Sequence, residues 1–199
     1  MRALVVYAHP RPDSFNAAIR DLVVERLKGA GAETRMLDLY AEGFNPVLGH
    51  DELGSHFDET QNQKGLEAHV DHLRWCDTLI FVYPTWWYGM PAMLKGWLDR
   101  AFLPGVAFKM PASEGEDISP SLTHITRLGV FTTCGASWWL TRLIGAPGKR
   151  TLLRGVRLLC AKWCKTAFAA HYLMDSSTDA SRKAHLAKVG RKLDKLMKG

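Results

Sequence analysis

The fold is decided by Thr78-Leu79-Ile80-Phe81-Val82-Tyr83, followed by Pro84-Thr85-Trp86-Trp87-Tyr88-Gly89-Met90-Pro91. The first six residues form a continuous apolar run of strand length. Such a run suits a strand buried on both faces of a parallel sheet, where the polar alternation of a half-exposed strand is lost. The loop after it is aromatic, and Pro91 stands at the first position of the next helix, where its missing N–H costs nothing.

Outward from this stretch the same grammar repeats. Residues 3–8, Ala-Leu-Val-Val-Tyr-Ala, form a second apolar run ending in a polar, proline-containing loop. A helix is expected after that loop, with Ala18, Leu22, Val23 and Leu27 at helical spacing and Gly29 as its stop. Residues 34–39 read as a strand and 58–75 mostly as a helix, with Leu66, Val70 and Leu73 on one face. Residues 91–102 read as a helix with Met93, Leu94, Trp97 and Leu98 inward. Residues 127–132 and 166–173 read as the fourth and fifth strands, with a helix over 148–163 between them. Residues 181–197 form the last helix, with Leu186, Val189, Leu193 and Leu196 as its inward stripe. The polar stretch 111–124 reads as a surface loop. Strands alternating with helices predict an α/β fold, a parallel five-stranded sheet with helices on both faces, in a single domain over residues 1–199.

Composition narrows the functional classes. The chain has 199 residues, 47% of them hydrophobic, enough for a core. Its N-terminus is too short and too quickly polar for a secretory signal, and no stretch approaches the roughly 20 apolar residues of a membrane helix. A soluble cytoplasmic protein, not embedded in a membrane, is the expectation. The four cysteines, Cys76, Cys134, Cys160 and Cys164, are too scattered for a disulfide framework or a zinc site, so buried reduced thiols and no metal are expected. The net charge of +6 is unevenly placed: residues 1–140 carry 12 basic and 17 acidic groups, residues 141–199 carry 14 and 3. The basic residues lie scattered along amphipathic helices, which argues against nucleic-acid binding and for a solvated face that also attracts an anion such as NADPH.

In open α/β sheets ligands bind beyond the carboxyl ends of the strands, where strand order reverses. Three loops leave strands at that edge: residues 8–16, 83–90 and 131–138. The first ends in Ser14-Phe15-Asn16 at a helix start, where free N–H groups and the helix dipole favour an anion. Ser14 either only caps that helix or also donates to a phosphate, and His9 adds a titratable donor. The chain has neither GxGxxG nor GxxxxGK[ST], so neither a Rossmann dinucleotide site nor a P-loop is indicated. Trp86, Trp87 and Tyr88 cannot all point into one core. A flat apolar ligand or a dimer interface explains them, alone or together, and Gly89 lets the backbone turn sharply or be approached closely. The third loop, Thr132-Thr133-Cys134-Gly135-Ala136-Ser137, offers small residues against which a planar heterocycle can lie. Cys134 has no accompanying base in sequence, and packing is its simpler role.

Three motifs together carry a resemblance: Ala8-His9-Pro10 with Ser14-Phe15-Asn16; Asp38-Leu39-Tyr40 with Phe44-Asn45-Pro46-Val47-Leu48; and Tyr83-Pro84 running through Trp86-Trp87-Tyr88-Gly89-Met90-Pro91-Ala92-Met93-Leu94-Lys95-Gly96-Trp97. They resemble the NAD(P)H:quinone oxidoreductases of the flavodoxin-like superfamily over at least the first two thirds of the chain. The resemblance implies a flavodoxin-like homodimer with one flavin per site, FAD or FMN. FAD is preferred because the 8–16 loop resembles that of the FAD-binding reductases. It implies that His9, Ser14, Phe15 and Asn16 hold the phosphate end. Pro84, Thr85, Trp86, Trp87 and Tyr88 with Thr133, Cys134 and Gly135 then line the isoalloxazine, and Trp86, Tyr88, Phe108 and Trp138 meet the substrate.

The implied reaction is ping-pong: NADPH or NADH delivers a hydride and leaves, and a quinone-like acceptor takes its place. No catalytic side chain is assigned, because the flavin carries the chemistry. The chain departs from relatives in three places. Cys134 stands in a loop that usually reads Thr-Gly-Gly. The Tyr and His that relatives carry after that loop are missing from residues 138–148. Phe108-Lys109-Met110 replaces a two-tyrosine stretch. Water or a residue elsewhere then handles the proton. Alternatives within the same fold are a flavodoxin-like electron carrier, an accessory flavoprotein of a membrane potassium-efflux system, and an azo- or nitro-compound reductase.

Overall fold

The computed structural model of the protein describes residues 1–111, 113 and 115–198. In chain order it runs through β1 (Arg2–Tyr7), α1 (Phe15–Gly29), β2 (Glu33–Asp38), α2 (His50–Gly54), α3 (Glu67–Trp75), β3 (Thr78–Thr85), α4 (Ala92–Ala101), β4 (Phe108–Lys109) and β5 (Ser119–Pro120). It continues through β6 (Arg127–Cys134), α5 (Trp138–Leu143), α6 (Pro147–Arg150), a π-helical turn (Thr151–Val156), α7 (Arg157–Leu159), β7 (Lys165–His171), a 3-10 turn (Met174–Ser176) and α8 (Asp179–Met197). Five strands pair in the order β2-β1-β3-β6-β7, all parallel, and β4 pairs with β5 in a small antiparallel ribbon. The chain builds outward from β1 to β2, then crosses back to β3, so the strand order reverses between β1 and β3. That reversal opens a crevice at the carboxyl edge of the sheet.

The apolar runs explain why both faces are covered. Along β1, Ala3, Val5 and Tyr7 point to one face, where Ile80, Val82 and Phe131 meet Ile19, Val23 and Leu27 of α1 and Val189, Leu193 and Leu196 of α8. Leu4 and Val6 point to the other, where Leu79, Phe81, Leu128 and Val130 meet Val70 and Leu73 of α3, Leu94 and Trp97 of α4, and Leu152 and Val156 of the π turn. Strands feeding two cores at once tolerate almost no polar residue, which is why they read as unbroken runs. The α4 helix also packs closely on the segment between β2 and α2: a Cβ at Gly96 would lie 2.1 Å from the Pro46 carbonyl oxygen, so only glycine fits.

Several expectations shift in detail. The helix over 58–75 begins only at Glu67. Asp58 instead bonds Thr60 through its side chain, and Asn62 Nδ2 donates to the carbonyls of His56 and Pro104. Gly65 then takes φ +78°. Local side-chain bonds of this kind compete with the helix ladder. In α1 the inward face is Ala17, Ile19, Val23 and Leu27, while Ala18 is exposed and Leu22 half-buried. Residues 148–163 are an α–π–α composite that stops at Leu159, because Cys160 turns extended and bridges Leu122. Pro91 sits one residue earlier than expected, as the N-cap of α4. β3 and β6 run on to Thr85 and Cys134, carrying the sheet into the loops expected to bind ligand.

Candidate active site

The three loops converge on one cleft of about 750 Å³ at the carboxyl ends of β1, β3 and β6. His9, Ser14, Phe15 and Asn16 enter from the first loop, Pro84, Thr85, Trp86, Trp87 and Tyr88 from the second, and Thr133, Cys134 and Gly135 from the third. The twelve residues expected from sequence to contact a cofactor thus share one wall. Phe108 does not reach it: the residue sits in the β4 ribbon, packed against the core on the α3/α4 side. Trp138 lines a neighbouring cavity instead. Ala136, Met174 and Asp175 also line the cleft, although the sequence reading did not single them out. The last two follow β7, whose carboxyl end opens at the same edge. Leu173 N–H donates to the Ala136 carbonyl (3.2 Å), tying that loop to the third.

At one end of the cleft Ser14 caps α1, its Oγ accepting from Ala17 N–H (3.1 Å) and lying 3.2 Å from the Tyr7 hydroxyl. With Tyr7 as donor, the Ser14 hydroxyl proton stays available to an anion at the helix start. His9 Nδ1 lies 3.0 Å from Arg11 N–H and 3.2 Å from the Arg11 carbonyl oxygen; in the tautomer that accepts from the N–H, Nε2 carries the ring proton. Burial first, and the Arg11 charge as well, hold the His9 imidazole below its ordinary pKa, so it is a neutral donor. Asn16 is buried; its Nδ2 donates to Thr133 Oγ1 (2.8 Å), joining the first and third loops. Its Oδ1 is buried with no partner. An orphaned buried amide oxygen is costly, and at a cleft wall it calls for a donor from a ligand.

The second loop is a tight turn. Trp86 and Gly89 exchange backbone hydrogen bonds of 3.2 and 3.0 Å, and the two residues between, Trp87 and Tyr88, take φ of +48° and +61°. Such a turn is normally filled by Asn or Gly, because bulky side chains at positive φ are strained by on the order of 1–3 kcal/mol each. The flexibility expected of Gly89 is thus not where the strain lies. The close approach instead involves Gly148, where a Cβ would lie 3.2 Å from the Gly89 carbonyl carbon, and Gly148 N–H donates to the Tyr88 carbonyl at 3.3 Å. The turn leaves Trp87 95% exposed and Trp86 partly open. Indoles held into solvent by a strained turn mark a surface that something else covers.

In the third loop, Thr85 Oγ1 and Thr132 Oγ1 lie 2.9 Å apart. Cys134 is buried with its thiol 3.6 Å from Thr141 Oγ1, and among the described residues no base hydrogen-bonds to it. Among the described residues no group of three or more His, Cys, Asp or Glu is placed to hold a metal. No helix among them is long and apolar enough to cross a membrane.

A doubly wound parallel sheet whose crevice joins a helix N-terminus, an aromatic turn and a small-residue loop defines a flavodoxin-like α/β protein. The chain belongs to the family described as flavodoxin-like fold, whose profile matches residues 1–196. It is 33% identical over 168 residues to NAD(P)H dehydrogenase [quinone] 1 of Rattus norvegicus, a match covering 76% of this chain and 60% of the rat protein. The crystal structure of Smu.1420 from Streptococcus mutans superposes with a TM-score of 0.81 at 29% identity, covering 98% of this chain and all of that one. The NAD(P)H:quinone oxidoreductase from Methanothermobacter marburgensis also gives 0.81, at 23% identity over 100% of this chain and 98% of that one, a likeness of fold. The chain spans between 54% and 60% of the length of the first curated relatives it matches.

Proposed function

We propose that this chain is a flavin-dependent NAD(P)H:quinone oxidoreductase that holds FAD in the cleft described above and works as a cytoplasmic homodimer. The observation that carries the reading is the convergence, in one cleft, of a capped helix N-terminus, the partnerless Asn16 Oδ1 and a strained turn presenting aromatic rings. These are complementary to the three parts of a flavin nucleotide: anionic phosphate, hydroxylated chain and planar ring. The cleft volume also lies within the ordinary range for cofactor sites, roughly 300–1,000 Å³.

When bound, the flavin supplies two-electron chemistry between a nicotinamide and an acceptor; the protein binds, orients and shields. The Ser14 hydroxyl, the first N–H groups of α1 and His9 Nε2–H would hold the phosphate end. Asn16 Oδ1 would accept from a hydroxyl of the sugar-alcohol chain. Trp86 and Tyr88 would flank the ring, and the small residues Thr133, Cys134 and Gly135 would let it lie close to the main chain. A Cβ at Gly135 would come within 2.9 Å of Asp175 Oδ2, so a side chain there would displace that carboxylate. The remaining open side of the cleft would receive NAD(P)H and then the acceptor in turn, which gives a ping-pong order. Phe108, in the β4 ribbon of its own chain, would contribute only from elsewhere in an assembly, and Trp138 lines the cavity next to the cleft. Trp87, Trp139 and Leu143 are all more than 60% exposed and supply apolar surface for such a dimer. All four cysteines are free and buried, as suits a reducing compartment. The proton that accompanies acceptor reduction would come from water.

Heat release followed by chromatography identifies the flavin, with FAD expected. Initial rates with NADPH or NADH and a naphthoquinone are expected to give parallel double-reciprocal lines. Failure to oxidise either nucleotide with any quinone, azo dye or nitroarene would refute the enzymatic reading. Intersecting lines would refute the ping-pong order.

A further inference from the structure

Beside the cleft lies a second cavity, of about 460 Å³, whose lining includes Arg142, Lys149, Arg150 and Arg154 and no carboxylate. Among the described residues, none of these four cations comes within 4.0 Å of a carboxylate. Arg11, Arg20, Arg26, Arg35, Arg100 and Arg182 all do. Six arginines elsewhere thus have carboxylate partners, whereas these four cations gather, uncompensated, in one concavity. Like charges so gathered repel one another and focus a positive potential that recruits a multiply charged anion. This cavity also gives the basic C-terminal third of the chain a local purpose.

The cations are positioned by their surroundings. The Arg150 guanidinium lies over Gly145, 3.2 Å from where a Cβ would stand, and Gly145 takes φ +92°, a backbone conformation that favours glycine. Arg142 stands 5.6 Å from the Trp138 ring and Lys149 4.7 Å from the Phe168 ring, contacts that leave their donor groups unspent. The wall between cavity and cleft is thin. Cys134 lines the cleft and Thr141 the cavity, with Sγ and Oγ1 3.6 Å apart. A narrow crevice touches Thr85, Tyr88 and Cys134 on the cleft side and Thr141, Ala146 and Lys149 on the cavity side. An elongated ligand reacting in the cleft can place a remote anionic group here.

We propose that this cavity receives the 2′-phosphate of NADPH and makes the chain select NADPH over NADH. The proposal rests on reading the neighbouring cleft as the site where the nicotinamide reacts. A phosphate monoester is dianionic near neutral pH and presents three acceptor oxygens, which the forked guanidinium donors match in pairs; NADH has only a hydroxyl at that position. An anionic acceptor, such as a sulfonated quinone, carries the same kind of charge and is the competing source.

The test uses Arg150→Gln and Arg154→Gln, with Arg191→Gln on the exposed side of α8 as a charge-matched control outside the cavity. Losing one charge-assisted contact is expected to lower the NADPH:NADH ratio of kcat/KM about tenfold or more, with a neutral naphthoquinone as acceptor and the control matching wild type. Calorimetric titration with adenosine 2′,5′-bisphosphate, which needs no turnover, is expected to show the same loss of affinity. Unchanged ratio and unchanged bisphosphate binding in both cavity variants would overturn the proposal. So would a loss confined to sulfonated against neutral quinones, which would assign the cavity to the acceptor. If no flavin binds and neither nucleotide is oxidised, the cleft reading fails on its own, while the bisphosphate titration still decides the cavity.

Discussion

His185 offers a pH-dependent test of how the cleft is supported. It lies in α8 with its ring centroid 5.2 Å from His171 and 6.0 Å from Phe15, a residue of the cleft wall. Phe15 in turn meets His171 edge-on at 5.5 Å. His185 Nε2 and His171 Nδ1 are both buried without a partner, so this cluster suits neutral imidazoles. Burial first, then the charges of His171 and Lys188, push His185 from its ordinary 6.5 down to about 4. The folded state therefore resists a proton that the unfolded chain accepts. The stability this contributes is fully present above pH 6.5 and is lost as pH falls through the window from 6.5 to 4. At about 1.4 kcal/mol per pH unit, the loss at pH 4.5 is about 2.5 kcal/mol before screening, and residual solvent access brings it to about 1–2 kcal/mol. Urea unfolding at pH 7.5 and 4.5 of the wild type and His185→Leu measures it directly. The wild type is expected to lose about 1–2 kcal/mol more than the variant over that interval. Equal losses would show that His185 is not held neutral by its surroundings and would refute the reasoning.

Other consequences follow from single contacts. Gly96→Ala forces a methyl into the Pro46 backbone and is expected to destabilise the fold by about 2–3 kcal/mol, read as a lower urea midpoint. Asn16→Ala removes both a bond to Thr133 and an orphaned oxygen, so the flavin-free chain should change by less than about 1 kcal/mol in urea unfolding, whereas FAD affinity should fall about tenfold. Trp86→Ala and Tyr88→Ala should each weaken flavin retention on gel filtration by about tenfold through lost ring contacts; undiminished retention in both would remove them from the site. Cys134→Ser, at a thiol with no base beside it, should leave turnover within about threefold of wild type in steady-state assays, since an unactivated thiol is no nucleophile.

The strands and the three cleft loops were legible because each rests on a local signal. Residues 3–7 and 79–83 form continuous apolar runs, and Trp86-Trp87-Tyr88 has no place in a core. What depended on tertiary contact was not legible. Asn62 reaches Pro104 across the fold and helps replace the helix expected over 58–66 with turns. The bridge from Leu122 to Cys160 ends the composite helix after Leu159. Phe108 and Trp138 were assigned to the substrate by resemblance, yet the ribbon carries Phe108 away from the cleft of its own chain, and Trp138 at the start of α5 lines the adjoining cavity instead. Asp175 carried no motif and enters the cleft only because β7 ends at the same sheet edge. The charge asymmetry was plain in the sequence, but the gathering of Arg142, Lys149, Arg150 and Arg154 around one cavity needed the fold.

The central claim is that an isoalloxazine ring sits where β1, β3 and β6 end. Titrating the flavin-stripped chain with FAD while following flavin fluorescence tests it most directly. Saturable quenching at one flavin per chain, with sub-micromolar affinity, is the predicted result. A chain that leaves the fluorescence of both FAD and FMN unchanged would contradict it.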